Sequence, residues 1–167
     1  MRNLGRIAGQ ILFYAFVGWG LAHFSNSPRY VHVDPGMALI KLSFNHASQR
    51  KVSCRRRTPE ELAKLAPNMR RPLDCPRERV TARVELLLDG RFLFRGSMPP
   101  TGLANDGPSI VYERFVVAPG RHRITARLRD SNRPEGFDYE HTAEVLLAPR
   151  QNFVIEFRAE TGGFKFI

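Results

Sequence analysis

Behind a short basic start, the chain runs apolar and then turns to strict alternation. Ile7 to Phe24 reads IAGQILFYAFVGWGLAHF, uncharged and mostly apolar. As a helix that stretch reaches about 27 Å, enough for a bilayer core of about 30 Å with help from its flanks. From Ala38 onward the period becomes two, as in strands with one buried face. Ala38 to Phe44 sets Ile40, Leu42 and Phe44 against Lys41 and Ser43. Val80 to Leu88 places Ala82, Val84, Leu86 and Leu88 on one face and meets Asp89-Gly90, a favoured hairpin turn, with Arg91 to Met98 as the return strand. Ile110 to Val117 leads to a second turn at Pro119-Gly120. His122, Ile124, Ala126 and Leu128 then alternate with Arg121, Arg123, Thr125, Arg127 and Arg129, which predicts one buried and one wet face. Tyr139 to Leu147 and Phe153 to Ala159 repeat the pattern.

Seven short strands with polar turns and almost no helical periodicity predict a two-sheet β-sandwich. The C-terminal Thr161 to Ile167 ends on apolar residues and reads as an eighth strand, or as an edge segment that docks on a partner. The apolar run reads as a single transmembrane helix. Arg2 and Arg6 keep its start cytoplasmic, so the remainder crosses into the periplasm of a bacterial inner membrane. A cleaved leader is the competing reading, because Gly20-Leu21-Ala22 offers small residues to a signal peptidase; Trp19, His23 and Phe24 crowd that cut and suit an interface belt better. Ala8, Ile11, Ala15, Gly18 and Ala22 recur at three and four residues and form a stripe on which another helix can pack closely in lipid. Residues 1–24 are therefore the start and span, 25–36 a linker with Pro28 and Pro35, and 37–167 the periplasmic body.

From Val84 the text Val-Glu-Leu-Leu-Leu-Asp-Gly-Arg, followed by Val-Val-Ala-Pro-Gly-Arg-His-Arg-Ile-Thr-Ala-Arg, resembles the PEGA-type modules of bacterial envelope proteins. The resemblance covers about residues 84–129 and rests on short motifs. It implies an immunoglobulin-like or transthyretin-like β unit and carries no catalytic residue. The long Pro99 to Ser109 loop departs from it, as does an insertion of about 35 residues, 45–79, placed before the hairpin.

Within that insertion Thr58-Pro59-Glu60-Glu61 predicts a helix start, with Thr58 as cap, Pro59 in the first helical position and Glu61 completing a capping box. The helix should stop before Pro67. Cys54 and Cys75 bracket it. An even count in an oxidising compartment points to a disulfide, worth about 3 kcal/mol for a loop of this size. The other reading is a Cu(I) site that joins the two cysteines to Met69, Met98 or His46, although nothing in the spacing is specific to copper.

The net charge of +10 is concentrated: residues 50–83 carry +7, while residues 84–167 balance. A patch of one sign on an exported domain points to an acidic protein surface, lipid phosphate or anionic polymer, and nucleic acid is not an expected partner. The basic residues are mostly arginine, namely Arg55, Arg56, Arg57, Arg70, Arg71, Arg77 and Arg79, which suits bidentate contacts to carboxylate or phosphate. Only Glu60, Glu61, Asp74 and Glu78 oppose them nearby.

Catalytic signals are absent from the sequence. His122 and His141 occupy inward strand positions, as core histidines do. No nucleophile elbow or phosphate-cradling loop is present, and the 101–107 turn has one acid, Asp106, too few for calcium. No enzyme, cofactor or metal is expected. The sequence therefore predicts a membrane-anchored binding module: first an accessory, assembly or stabilising subunit of an inner-membrane complex of respiratory or transport type. An envelope module holding anionic polymer or lipid phosphate comes second, and a periplasmic copper-handling protein third.

Overall fold

The computed structural model describes residues 2–27, 31 and 33–167. Pro28, Arg29, Tyr30 and His32 of the expected linker lie outside the described residues, as does Met1. The chain divides into two units, one reaching to Asp34 and the other running from Pro35 to Ile167. The first holds α1 (Arg2–Asn26), which continues the apolar run in both directions. Its stretch Asn3–Ser25 is long and apolar enough to cross a membrane.

The second unit is mainly β. Its strands are β1 (Ala38–His46), β2 (Arg55–Arg56), β3 (Leu73–Asp74), β4 (Ala82–Leu88), β5 (Arg91–Met98) and β6 (Ser109–Val117), then β7 (Gly120–Arg129), β8 (Tyr139–Leu147), β9 (Asn152–Arg158) and β10 (Gly163–Phe166). Eight of them form two four-stranded sheets, ordered β10-β9-β1-β6 and β5-β4-β7-β8, and β2 pairs with β3 alone. Pairing is antiparallel except where β1 runs parallel to β9.

The alternation places the core. Ile40 and Leu42 on β1, Val84 and Leu86 on β4, Ile124 and Leu128 on β7, and Ile155 on β9 are almost completely buried in one cluster shared by both sheets. Each such side chain contributes about 1.5–3 kcal/mol by leaving water. Asp89 and Gly90 take φ of 52° and 80°, the left-handed pair that a tight hairpin needs to match strand twist. A bulge then shifts the register between Leu86 and Leu87, opposite Phe94 and Phe92. Alternation on β5 breaks there, which lets the consecutive Leu93 and Phe94 both pack on the core.

The tail is the expected eighth strand of the two sheets: β10 pairs with β9, Phe164 is buried, and its ring lies 5.1 Å from that of Phe157. Two other sequence expectations change in the folded chain. Arg129 is buried instead of wet, because the 130–138 loop folds back over the end of β7 and the Pro134 carbonyl accepts from its guanidinium at 2.6 Å. His141 is exposed instead of core, because β8 is an edge strand; its ring meets the edge of Phe166 at 4.7 Å.

Candidate functional site

The insertion between β1 and β4 has little core of its own. The capping box forms as expected: the Glu61 N–H donates to the Thr58 hydroxyl at 3.3 Å, and the Thr58 N–H donates to the Glu61 carboxylate at 3.0 Å. The helix that follows, α2 (Pro59–Ala63), buries no side chain, nor does the 3-10 turn Pro67–Met69. What fixes the segment is polar and covalent. Cys54 and Cys75 are bonded to each other at 2.09 Å. The two-residue ladder of β2 and β3 lies beside that bridge, and an Arg50–Arg79 bridge closes the base. The disulfide occupies both sulfurs that a copper site would need as thiolates. Among the described residues, no group of three His, Cys, Asp or Glu side chains forms a metal-ligand set.

The seven arginines separate by surroundings. Arg55 donates to both Glu61 oxygens at 3.0 Å and pairs with Asp74 at 3.0 Å, and Arg57 takes the other Asp74 oxygen at 3.0 Å. The Glu61 carboxyl is held below its ordinary range, first by the Thr58 N–H and then by Arg55. Arg77 pairs with Asp106 of the 99–108 loop at 3.0 Å. Arg79 donates to the Asp106 and Ser48 carbonyls, and Arg70 to the Leu65 carbonyl. Glu78 pairs with Lys51 rather than with an arginine. Arg56 and Arg71 remain exposed on the surface of the insertion.

An open hollow of about 750 Å³ lies at the centre of this network. Its walls are Arg50, Arg57, Arg71 and Arg77 with Pro72, Leu73, Asp74 and Cys75. Arg50 was not singled out by the sequence, although it stands four residues before Cys54; its guanidinium donates to the Cys54 sulfur at 3.4 Å. Asp74 is the one carboxylate in that wall, and Arg55 and Arg57 already engage both its oxygens. The hollow is therefore strongly positive, and its acid is not available to a ligand. Arg55, Arg56, Arg70 and Arg79 lie outside it.

Two histidines do structural work. His46 Nε2 lies 2.5 Å from Asp130, and its ring meets the edge of Phe157 at 4.8 Å, which ties the end of β1 to the end of β7 across the two sheets. His122 faces two acceptors, Asp89 at 2.7 Å and the Ala118 carbonyl at 3.0 Å, so both ring nitrogens donate only when the ring is charged. Its pKa is raised accordingly, chiefly by Asp89, and that of Asp89 is lowered, chiefly by His122. On α1, the stripe residues Ala8, Ile11, Ala15 and Gly18 are exposed.

In comparison with known proteins, no family model, no curated protein and no solved structure matches this chain.

Proposed function

We propose that this chain is a single-pass protein of a bacterial inner membrane, with α1 as an uncleaved anchor, its N-terminus cytoplasmic and the β body in the periplasm. The body is then an immunoglobulin-like β-sandwich of PEGA type, and its work is binding rather than catalysis. Its primary role is that of an accessory, assembly or stabilising subunit of a larger inner-membrane complex, of respiratory or transport type. The observation that carries this reading is a helix long and apolar enough to span a bilayer, in a chain whose β body completes its own core. Such a helix presents its small-residue stripe to lipid or to other helices, and close backbone approach favours the latter. The oxidising compartment is supported by the Cys54–Cys75 bridge.

The test is the size of the complex extracted gently from membranes. The wild-type chain should migrate with a partner far larger than itself, and replacing Ala15 and Gly18 by Leu should release it as a single chain. A wild-type chain that leaves the membrane alone would overturn the reading. The second reading, an envelope module that holds lipid phosphate or anionic polymer, is favoured by one specific feature, the arginine-walled hollow.

A further inference from the structure

We propose that the hollow lined by Arg50, Arg57, Arg71 and Arg77 is a binding site for a phosphate monoester. The inference rests on the body being a binding module and is independent of which membrane protein, if any, α1 meets.

Of the four guanidinium groups in the wall, Arg57 is engaged by Asp74 and Arg77 by Asp106. Arg50 makes its side-chain contact to a sulfur, and Arg71 stands exposed at the rim. The wall thus offers two unneutralised positive charges, with a further pair of arginines behind them. A carboxylate, with one charge, matches one of the two. A phosphate monoester carries about −1.5 to −2 at neutral pH and presents three acceptor oxygens to forked donors, so it matches both. Asp74 does not oppose it, because Arg55 and Arg57 hold both of its oxygens.

The backbone beneath the arginines is set before any ligand arrives. The disulfide forms part of the wall through Cys75, the Arg57 N–H donates to the Pro72 carbonyl at 2.9 Å, and the Arg71 N–H donates to the Met69 carbonyl at 2.8 Å. Asn132, from the loop after β7, donates to the Arg50 and Lys51 carbonyls at 3.3 and 3.1 Å. Backbone positions fixed in this way lower the ordering cost of binding.

The probe is glycerol phosphate, titrated calorimetrically into the full chain held in neutral detergent. Arg50→Gln and Arg71→Gln should each weaken binding by about tenfold or more, the size expected for one charge-assisted contact. Arg71→Lys should fall between Arg71→Gln and wild type, because it keeps the charge and loses the fork. Arg158→Gln, an arginine of β9 paired with Glu156, should change nothing. Affinity should also rise as the ligand's second proton leaves near pH 6. Nanodiscs of neutral lipid with and without phosphatidic acid distinguish the source: tighter binding to the phosphatidic acid discs than to glycerol phosphate assigns a lipid headgroup, and equal binding assigns a soluble ester. Equal affinities for acetate and glycerol phosphate would overturn the proposal, and so would Arg50 and Arg71 variants that fold and bind like wild type. Either result would leave the complex-size test of the membrane subunit untouched.

Discussion

Arginine does two different jobs in two regions of this molecule. On the outer face of β7, Arg123 meets Glu144 at 3.0 Å and Arg127 meets Glu140 at 3.2 Å on the neighbouring strand, while Arg95 of β5 meets Glu85 at 2.8 Å. There each of these three arginines has a glutamate of its own sheet to meet. In the insertion, Arg55 and Arg57 converge on one Asp74, and Arg50 and Arg71 face a hollow with no acid left to meet them. The difference lies in the backbone beneath. A long ladder sets Arg123 and Arg127 opposite glutamates, whereas a two-residue ladder clamped by a disulfide gathers arginines from separate turns around one space. The first arrangement is structural and the second is suited to binding.

The largest test of that contrast removes the clamp. Because the insertion's helical turns bury no side chain, Cys54→Ser with Cys75→Ser should lower the insertion's local stability by about 3 kcal/mol. Amide exchange should accelerate at Arg55 and Arg57, while the amides of β1, β4 and β7 keep their protection. Equal acceleration throughout would mean that the insertion and the sheets fold as one unit. A smaller effect is expected on the ladder side. Arg127 is mostly buried and lies beside Glu140, Glu85 and the Phe137 ring, so Arg127→Gln should lower stability by about 1 kcal/mol in thermal unfolding. Arg71→Gln, at an exposed position, should stay within about 0.5 kcal/mol of wild type.

The smallest effect expected is a pH dependence at the β4–β5 turn. The raised pKa of His122 means that its contribution is complete below its ordinary 6.5 and fades as pH rises through the higher folded value. The lowered pKa of Asp89 means that its contribution is complete above its ordinary 3.8 and fades as pH falls through the lower folded value. The stability difference between wild type and His122→Asn should therefore be greatest between pH 3.8 and 6.5 and should shrink above neutrality. A difference that grows above pH 7 would contradict this assignment.

The contrast also explains what could be read from the sequence. Alternation reports which face of a strand is buried, so the seven strands and the inward Ile40, Val84, Leu86 and Ile124 were legible, as were the Asp89-Gly90 turn and the Thr58 capping box. Such signals are local. The bulge that turns Leu93 and Phe94 inward together depends on strand pairing, and the covering of Arg129 depends on where a loop returns. His46 and Asp130 meet across 84 positions, and no local pattern announces them. The arginine richness of 50–79 was plain in the sequence. Its division into engaged residues and hollow-facing ones was not, because Asp106, which takes Arg77, comes from another loop, and because Asp74 serves two partners at once.

The central claim is that arginines of the hollow bind and arginines of the ladder hold the fold. Its most direct test measures unfolding temperature and glycerol phosphate affinity side by side in Arg71→Gln and Arg127→Gln. The account predicts a crossed result: Arg71→Gln loses affinity and keeps its melting temperature, while Arg127→Gln melts earlier and keeps its affinity. Should Arg71→Gln instead melt earlier with its affinity intact, the hollow would be a structural network and the claim would fail.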